Sequence, residues 1–390
     1  MKELHLALIG GPQYDDLLEM LPAFEEQTGY KLCVDVRLPH VELNERMAKD
    51  LGTGNGHYDL ISTHTKYSPS QAEHLMPLDE LVSPEELSDF VPRVLDLCRI
   101  SDKLMQLPRN LDARILFYRA DLISAPQTWE EASAQMVKHT HDSFYGFAFP
   151  GRHSGLFGTF YELLCMAGGD LFDQDLQPTF NSEAGEWSLN FLYRLHSVEH
   201  VTPPDLIENW YYDELSERFR HGDVLMIGDW PGFYGLYQKR ETCPVFDQFD
   251  VAVYPAGPAG VRRSYSGGHS FAVPKAARDP EGGVALAKYL TSAYVQWYEA
   301  SVGGHTPIRQ SVFETMKSSL SGQGASERDA KRMVALEETI THYAITPPKF
   351  ADYPLVEDLM ASGVQEAITG KQTCKEALLL MERKVHEVLS

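Results

Sequence analysis

Apolar positions in the first sixty residues switch between two spacings. Leu4-His5-Leu6-Ala7-Leu8-Ile9 is a short apolar run that reads as a strand, and Gly10-Gly11-Pro12 turns the chain. Asp15 to Gln27 then carries Leu17, Leu18, Leu21 and Phe24 at helical spacing, and Thr28-Gly29 stops that helix. Lys31 to Val36 reads as a second strand, Glu42 to Leu51 as a helix, and Tyr58 to Ser62 as a third strand. Strand and helix in alternation imply right-handed crossovers and a mainly parallel sheet. Ligands of such sheets sit at the carboxyl ends of the strands, which directs attention to particular loops.

The same device returns later in the chain. Asp112 to Tyr118 reads as a strand, and Thr128 with Glu131 three residues on forms a capping box for the helix that follows. Phe144 to Phe149 alternates as a strand does. Gly155 to Met166, Glu183 to Ser197 and Tyr212 to Arg220 read as helices, and Val224 to Ile227, Phe249 to Val253 and Ser270 to Val273 as strands. Beyond residue 280 the pattern is helical: 282–290, 292–302, 327–340 and Pro354 onward. Trp187 and Trp297 fall on helical apolar stripes and are expected in the core. The glycine- and proline-rich stretch from Pro255 to Gly268 reads as a crossing between two lobes, with Arg109 to Asp112 as its partner crossing.

With 390 residues, 43% of them apolar, the chain is long enough for two cores. Acidic side chains outnumber basic ones 56 to 34, a formal charge of −22, and no basic cluster interrupts them, which argues against nucleic-acid binding. No apolar run approaches the roughly 20 residues that span a bilayer. Leu4 to Ile9 is too short for a signal-peptide core, so the chain is expected to be cytoplasmic or a mature form lacking its export signal. Its five cysteines, Cys33, Cys98, Cys165, Cys243 and Cys374, have no paired spacing and read as buried free thiols, with one disulfide as the alternative. Neither a metal site nor a cofactor is indicated.

Enzyme signatures fail on spacing. Gly151-Arg152-His153-Ser154-Gly155 is not a nucleophile elbow, and Gly52-Thr53-Gly54-Asn55-Gly56 precedes a strand where a phosphate loop would open a helix. What stands out is aromatic and polar residues together in loops: Thr63 to Tyr67; Arg109, Asn110 and Asp112; Trp210-Tyr211-Tyr212; Asp229, Trp230, Phe233 and Tyr234; and Ser266 to His269. A sugar ring suits such loops. Its C–H face lies on an aromatic ring while its hydroxyls meet carboxylates, amides and arginine.

Several ordered motifs resemble a known family. FEEQTGYKLCVDV (24–36), GTGNGHYDLIS (52–62), MPLDELV (76–82), LFYRADLISAPQTWEE (116–131), GDVLMIGDW (222–230), GGHSFAVPKAARDPEGGVALAKYLTSAYVQ (267–296), GGHTPIRQSVF (303–313) and ITGKQTCKEAL (368–378) look like successive segments of the bacterial extracellular solute-binding proteins of family 1. These are the carbohydrate receptors of ABC importers, related to maltose-binding proteins. The resemblance implies an α/β, two-lobed, hinged periplasmic-binding-protein fold of type II, each lobe a mainly parallel sheet flanked by helices. It places the first lobe at about 1–110 plus 268–307, the second at about 111–267 plus 308–390, and a ligand cleft between them.

By the same resemblance, Asp112 is the hinge-strand acid and Trp230 the aromatic platform. Gln13 and Tyr14 form the first contact loop, and His64, Lys66 and Tyr67 lie in the second. Arg109, Gly268, His269 and Tyr353 complete the expected ligand-binding set. The expected partners are a sugar or oligosaccharide and a membrane permease, with the receptor a monomer. It would be periplasmic or extracellular, held at the membrane by the permease or a lipid anchor. Departures from maltodextrin-binding members, with Gly-Gly-Pro-Gln-Tyr in the first loop and Lys66, Arg109, Arg114, Arg152 and Arg263 near the cleft, leave an acidic sugar such as a uronate as the alternative. A sensory adaptor on the same fold and a glycosidase using Asp112 and Asp229 are the rival uses.

Overall fold

The computed structural model describes residues 2–54, 58–320 and 327–390, apart from the side chains of Pro12, Gln13 and Leu320. Of the glycine turn read at 52–56, Asn55 and Gly56 lie outside the described residues. The chain builds two α/β lobes.

It begins with β1 (Glu3–Ile9), α1 (Leu21–Thr28), β2 (Lys31–Leu38), α2 (His40–Thr53) and β3 (Leu60–His64). Leu4, Leu6 and Leu8 of β1 enter one core while Ala7 and Ile9 enter another, so the sheet is covered on both faces. That double cover is why β1 reads as a continuous apolar run. Gly29, at φ 74°, ends α1 in the left-handed conformation that glycine adopts at no steric cost.

The expected single helix over 15–27 is split into a 3-10 segment, Pro12–Met20, followed by α1. Pro22 explains the break: it has no N–H to continue a helical ladder, yet is tolerated in a first turn.

After a stretch of short helices and turns come β4 (Leu107–Pro108), β5 (Asp112–Ala113) and β6 (Ile115–Arg119). The strand expected from Asp112 to Tyr118 is therefore interrupted at Arg114, whose carbonyl accepts from Ser264 Oγ at 2.6 Å. Thr128 caps its helix as expected, accepting from Glu131 N, but the Glu131 carboxylate reaches Gln127 N, one residue short of closing the box.

Residues 144–149 form no strand and touch the sheet through the isolated parallel bridges Tyr145↔Val224 and Ala148↔Ile227. Then follow α3 (His153–Met166), α4 (Tyr212–His221), β7 (Met226–Asp229), β8 (Phe249–Ala252), β9 (Ser264–Gly267), β10 (His269–Ala272), α5 (Pro280–Leu290) and α6 (Ala293–Val302). The last long helices are α7 (Tyr353–Ile368) and α8 (Cys374–Leu389).

The first sheet has the order β2-β1-β3-β10-β4, parallel from β2 to β3 and antiparallel where β10 returns. The second, β8-β6-β7, is antiparallel throughout. The two-lobed α/β class holds, but among the described residues parallel strand pairing is confined to β2-β1-β3 and the short pair of β9 with Ala344–Ile345. In the second lobe β7 and β8 flank β6 with reversed direction, which apolar alternation does not specify.

Between the sheets, β5 pairs with β9, Asp112 opposite Gly267 and Ala113 opposite Ser266. Here the chain passes from β4 of the first sheet to β6 of the second, and returns from β9 to β10. Phe117, Phe160, Met226 and Val356 share one core, and Leu60, Phe271, Leu286 and Ile308 another. Trp187 packs partly buried on the first of these cores, whereas Trp297 is 45% exposed, because α6 turns Val295, Gln296, Glu299 and Ala300 inward instead. All five cysteines are free thiols. Among the described residues no helix is long and apolar enough to cross a membrane.

Candidate functional site

The β5–β9 crossing sets one end of an interlobe cavity of about 150 Å³. Asp112 projects from it. Beside it, β10 pairs antiparallel with β3 so that His269 stands opposite His64 at the strand ends. His40 opens α2, directly after β2, and completes a set of imidazoles. Ring centroids lie 4.9 Å apart for His40–His64, 4.9 Å for His64–His269 and 5.3 Å for His40–His269. Gly267 makes room for this cluster, since a Cβ there would sit 2.6 Å from His64 Nε2. Tyr14, from the 3-10 segment after β1, places its hydroxyl 3.0 Å from His269 Nε2.

The facing wall comes from the other lobe. Tyr211 and Tyr212 lie at the start of α4, Trp230 directly after β7, Tyr265 on β9 and Ser154 in the first turn of α3. Tyr212 meets Trp230 edge to face at 5.5 Å, and Tyr211 and Ser154 share a hydroxyl hydrogen bond of 2.9 Å. Hydroxyl-tipped rings of this kind can stack on an apolar face and still bond at their edges.

Charge at the site is largely neutralised. Lys66 Nζ donates to Glu357 Oε1 at 2.5 Å, and Glu357 Oε2 accepts from Tyr265 O–H at 3.1 Å. Desolvation alone would lower the Lys66 ammonium, but Glu357 outweighs it and holds the pKa above the usual lysine value. Arg109 donates to Glu299 Oε1 at 2.5 and 3.0 Å, and Arg114 Nε to Glu162 Oε1 at 3.1 Å. Burial pushes Glu162 up to about 7 against the pull of Arg114.

Desolvation drops His40 to about 3, with Lys66 adding to the effect. Desolvation likewise lowers His64 and His269 well below the ordinary value, with neighbouring imidazoles adding to it. All three are neutral at physiological pH. Asp112 is the single carboxylate among the described lining residues. Its Oδ2 accepts from Asn110 Nδ2 at 2.8 Å, while its buried Oδ1 has no protein partner. Desolvation raises this carboxyl to about 7, opposed by Arg109 and reinforced by Glu299.

Of the residues expected from sequence, Tyr14, His64, Lys66, Asp112, Trp230 and His269 come together on the cavity wall. Tyr67 lies outside it, with Lys66 Nζ 5.0 Å from its ring centroid. Arg109 stands behind Tyr14, 5.2 Å from that ring. Gly268 N–H donates to Thr65 Oγ1, and its neighbour Gly267 takes the lining position. Tyr353 is fully buried in α7, with Phe157 and Phe350 packed edge-on against it. The Gln13 side chain is outside the described ones.

Asp229 does not line the cavity. It accepts from Tyr237 O–H at 2.6 Å within the core, so it does not pair across the cavity with Asp112. Sequence reasoning missed His40, Tyr265 and Glu357. His40 had a usable signal, a polar ring at the carboxyl end of a parallel strand; Glu357, buried inside a long helix, had none.

Comparison with known proteins agrees with this fold. The family model described as bacterial extracellular solute-binding protein matches residues 11–297. A probable ABC transporter-binding protein of Deinococcus radiodurans is 23% identical, covering 97% of this chain and 91% of its own. Maltose-bound T. maritima MalE3 superposes with a TM-score of 0.90 at 24% identity, over 100% of both chains. An Agrobacterium vitis solute-binding protein with bound D-mannitol gives a TM-score of 0.82 at 18% identity, over 100% of this chain and 98% of its own. At such identities the structural likeness is one of fold.

Proposed function

The chain belongs to the bacterial extracellular solute-binding protein family, and on that premise we propose that it is the receptor of an ABC importer, capturing a neutral sugar between its lobes. One observation carries the neutral assignment. Of the five cations expected near the cleft, Arg152 and Arg263 do not line the cavity, while Lys66, Arg109 and Arg114 already hold the buried carboxylates Glu357, Glu299 and Glu162. A ligand carboxylate would have to displace one of these and leave it buried without a partner, at a cost of several kcal/mol. The unpartnered Asp112 Oδ1, the neutral imidazoles and the tyrosine hydroxyls instead match the alternating donors and acceptors of sugar hydroxyls.

Relatives of the fold bind maltose and mannitol, in line with this reading. The work is capture, with no bond made or broken. The lobes, taken as 1–110 with 268–307 and 111–267 with 308–390, rock about the β5–β9 crossing and close on the ligand. A membrane permease reads the closed form, and the receptor acts as a monomer outside the cytoplasmic membrane.

Micromolar capture needs about 8 kcal/mol. Stacking on Trp230 supplies about 0.5–1.5 kcal/mol beyond burial, so several hydrogen bonds must share the rest. A thermal-shift screen tests the reading: D-glucose, D-mannose and their oligomers, and D-mannitol, against D-glucuronate and D-galacturonate. A neutral sugar should raise the melting temperature. Selective stabilisation by a uronate overturns the neutral assignment, and a flat response to every carbohydrate overturns the function. Trp230→Ala should weaken the best ligand about tenfold, some 1.4 kcal/mol by calorimetry, with the fold intact.

A further inference from the structure

We propose that His64 is a specificity-determining residue: its Nε2–H as donor and Asp112 Oδ1 as acceptor read one hydroxyl of the bound ligand together, which rests on the reading that the site takes a sugar. The tautomer of His64 is set by its neighbour. The Lys66 backbone N–H donates to His64 Nδ1 at 3.1 Å, so Nδ1 is the accepting nitrogen and the proton of the neutral imidazole sits on Nε2. Desolvation, which holds this ring neutral, keeps a second proton off Nδ1. Nε2–H has no protein partner among the described residues.

Gly267 fixes where that donor stands. A Cβ added to Gly267 would lie 2.6 Å from His64 Nε2, so the donor edge of the ring takes the space of the missing side chain. Gly267 pairs antiparallel with Asp112 across β9 and β5. Directly opposed residues project to the same face, with Cβ positions about 4.5–5.5 Å apart. His64 Nε2–H and the Asp112 side chain therefore share one face of this pair, and all three residues line the cavity. Asp112 Oδ2 is taken by Asn110, whereas the buried Oδ1 is unpartnered. His40 and His269, each with its ring centroid 4.9 Å from that of His64, hold the imidazole in place.

An unpartnered donor and an unpartnered acceptor on one face select a group that accepts and donates at once. A hydroxyl does both. A carbonyl oxygen accepts from Nε2–H but gives Asp112 nothing, an ammonium donates to Asp112 but gives Nε2–H nothing, and a methylene does neither. A desolvated polar group left unpaired is what makes such a site reject an analogue. Burial has raised the Asp112 carboxyl to about 7, and a hydroxyl donating to Oδ1 favours its ionised form. The substrate class is thus a sugar with a free hydroxyl at this position, and its deoxy, oxidised and amino counterparts are excluded.

Histidine-selective nitrogen labelling and NMR of the full chain read the tautomer directly, the His64 signals being those lost in His64→Gln. The proton should be on Nε2. Calorimetric titration at about pH 8, where Asp112 is ionised, uses D-glucose, D-mannose, D-mannitol and maltose, with the singly deoxygenated forms of the two hexoses. His64→Phe keeps a ring without the donor and should weaken the tightest of these at least about tenfold. His64→Gln returns an N–H near the same place and should recover most of that loss. In the parent protein one deoxyhexose should bind about tenfold more weakly than its hexose, a gap that His64→Phe abolishes. A proton on Nδ1, equal losses in the Phe and Gln variants, or a deoxy penalty that survives His64→Phe overturns the role of His64 and leaves sugar capture standing. Failure of every one of these sugars to bind overturns sugar capture itself.

Discussion

The two walls of the cavity solve different halves of one recognition problem. The first lobe contributes His40, His64, His269 and Lys66, small polar groups fixed at the ends of strands or the start of a helix. The second contributes Tyr211, Tyr212, Trp230 and Tyr265, broad rings carried on a helix start, a post-strand loop and a strand. On the proposed reading, one wall would supply direction through hydrogen bonds, and the other area through stacking. They also differ in support. Imidazoles on the first wall pack against one another, whereas the aromatic wall leans on a buried ion pair: Arg114 lies 5.6 Å from the Trp230 ring, and Glu162 also accepts from Tyr265 N at 2.6 Å. Neither wall encloses a ligand alone, so the proposed capture depends on lobe closure.

The largest expected effect breaks the aromatic wall's support. Glu162→Ala strands Arg114 in the interior and frees the backbone of Tyr265, and loss of one member of a buried pair costs about 3–5 kcal/mol. The urea midpoint should fall accordingly. A loss below about 1 kcal/mol, the range of surface pairs, would show that the two walls do not differ in how they are held up.

Much of this asymmetry was hidden in the sequence, for physical reasons. The first lobe's sheet was legible because β1 is buried on both faces and reads as an unbroken apolar run. Trp230 was legible because it follows a strand directly. In the second lobe β6, β7 and β8 were found, but 144–149 was read as a strand it does not form and β9 was missed. The antiparallel order was not found either, since side-chain alternation carries no direction. Arg114 interrupts a strand whose apolar pattern continues past it, and the Ser264 hydroxyl that donates to its carbonyl comes from 150 residues away. The same distance problem hid Glu357: a carboxylate on an amphipathic helix looks solvent-facing until its lysine, 291 residues earlier, is placed against it.

An intermediate effect comes from cutting the tie between the walls. Glu357→Gln keeps shape but removes the charge that holds Lys66 and weakens the bond to Tyr265. A hydrogen bond to a charged group contributes about 1.5–3 kcal/mol, so the unliganded protein should shift toward an open form. Small-angle scattering should show a larger radius of gyration, returning toward the parent value at saturating sugar. An unchanged radius without ligand would mean the walls are joined chiefly by the β5–β9 crossing and that the Lys66–Glu357 pair adds little to closure.

The smallest effect sharpens the comparison through pH, because wall and hinge titrate with opposite sign. His40 has a folded pKa of about 3 against an ordinary 6.5, so the stability it lends is complete above about pH 6.5 and is lost as pH falls toward 3. His64 and His269, lowered by the same desolvation, act in the same sense. Asp112, raised from 3.8 to about 7, does the reverse: its protonated form favours the folded site, and that contribution is lost as pH rises through 7. In the parent protein the two trends offset each other between pH 4 and 6.5. Asp112→Asn keeps the shape and removes only the hinge's share, so the variant's melting temperature should drop more steeply on acidification than the parent's. Parallel melting-temperature profiles would place Asp112 in solvent-like surroundings and detach it from the desolvated pocket that the imidazole wall defines.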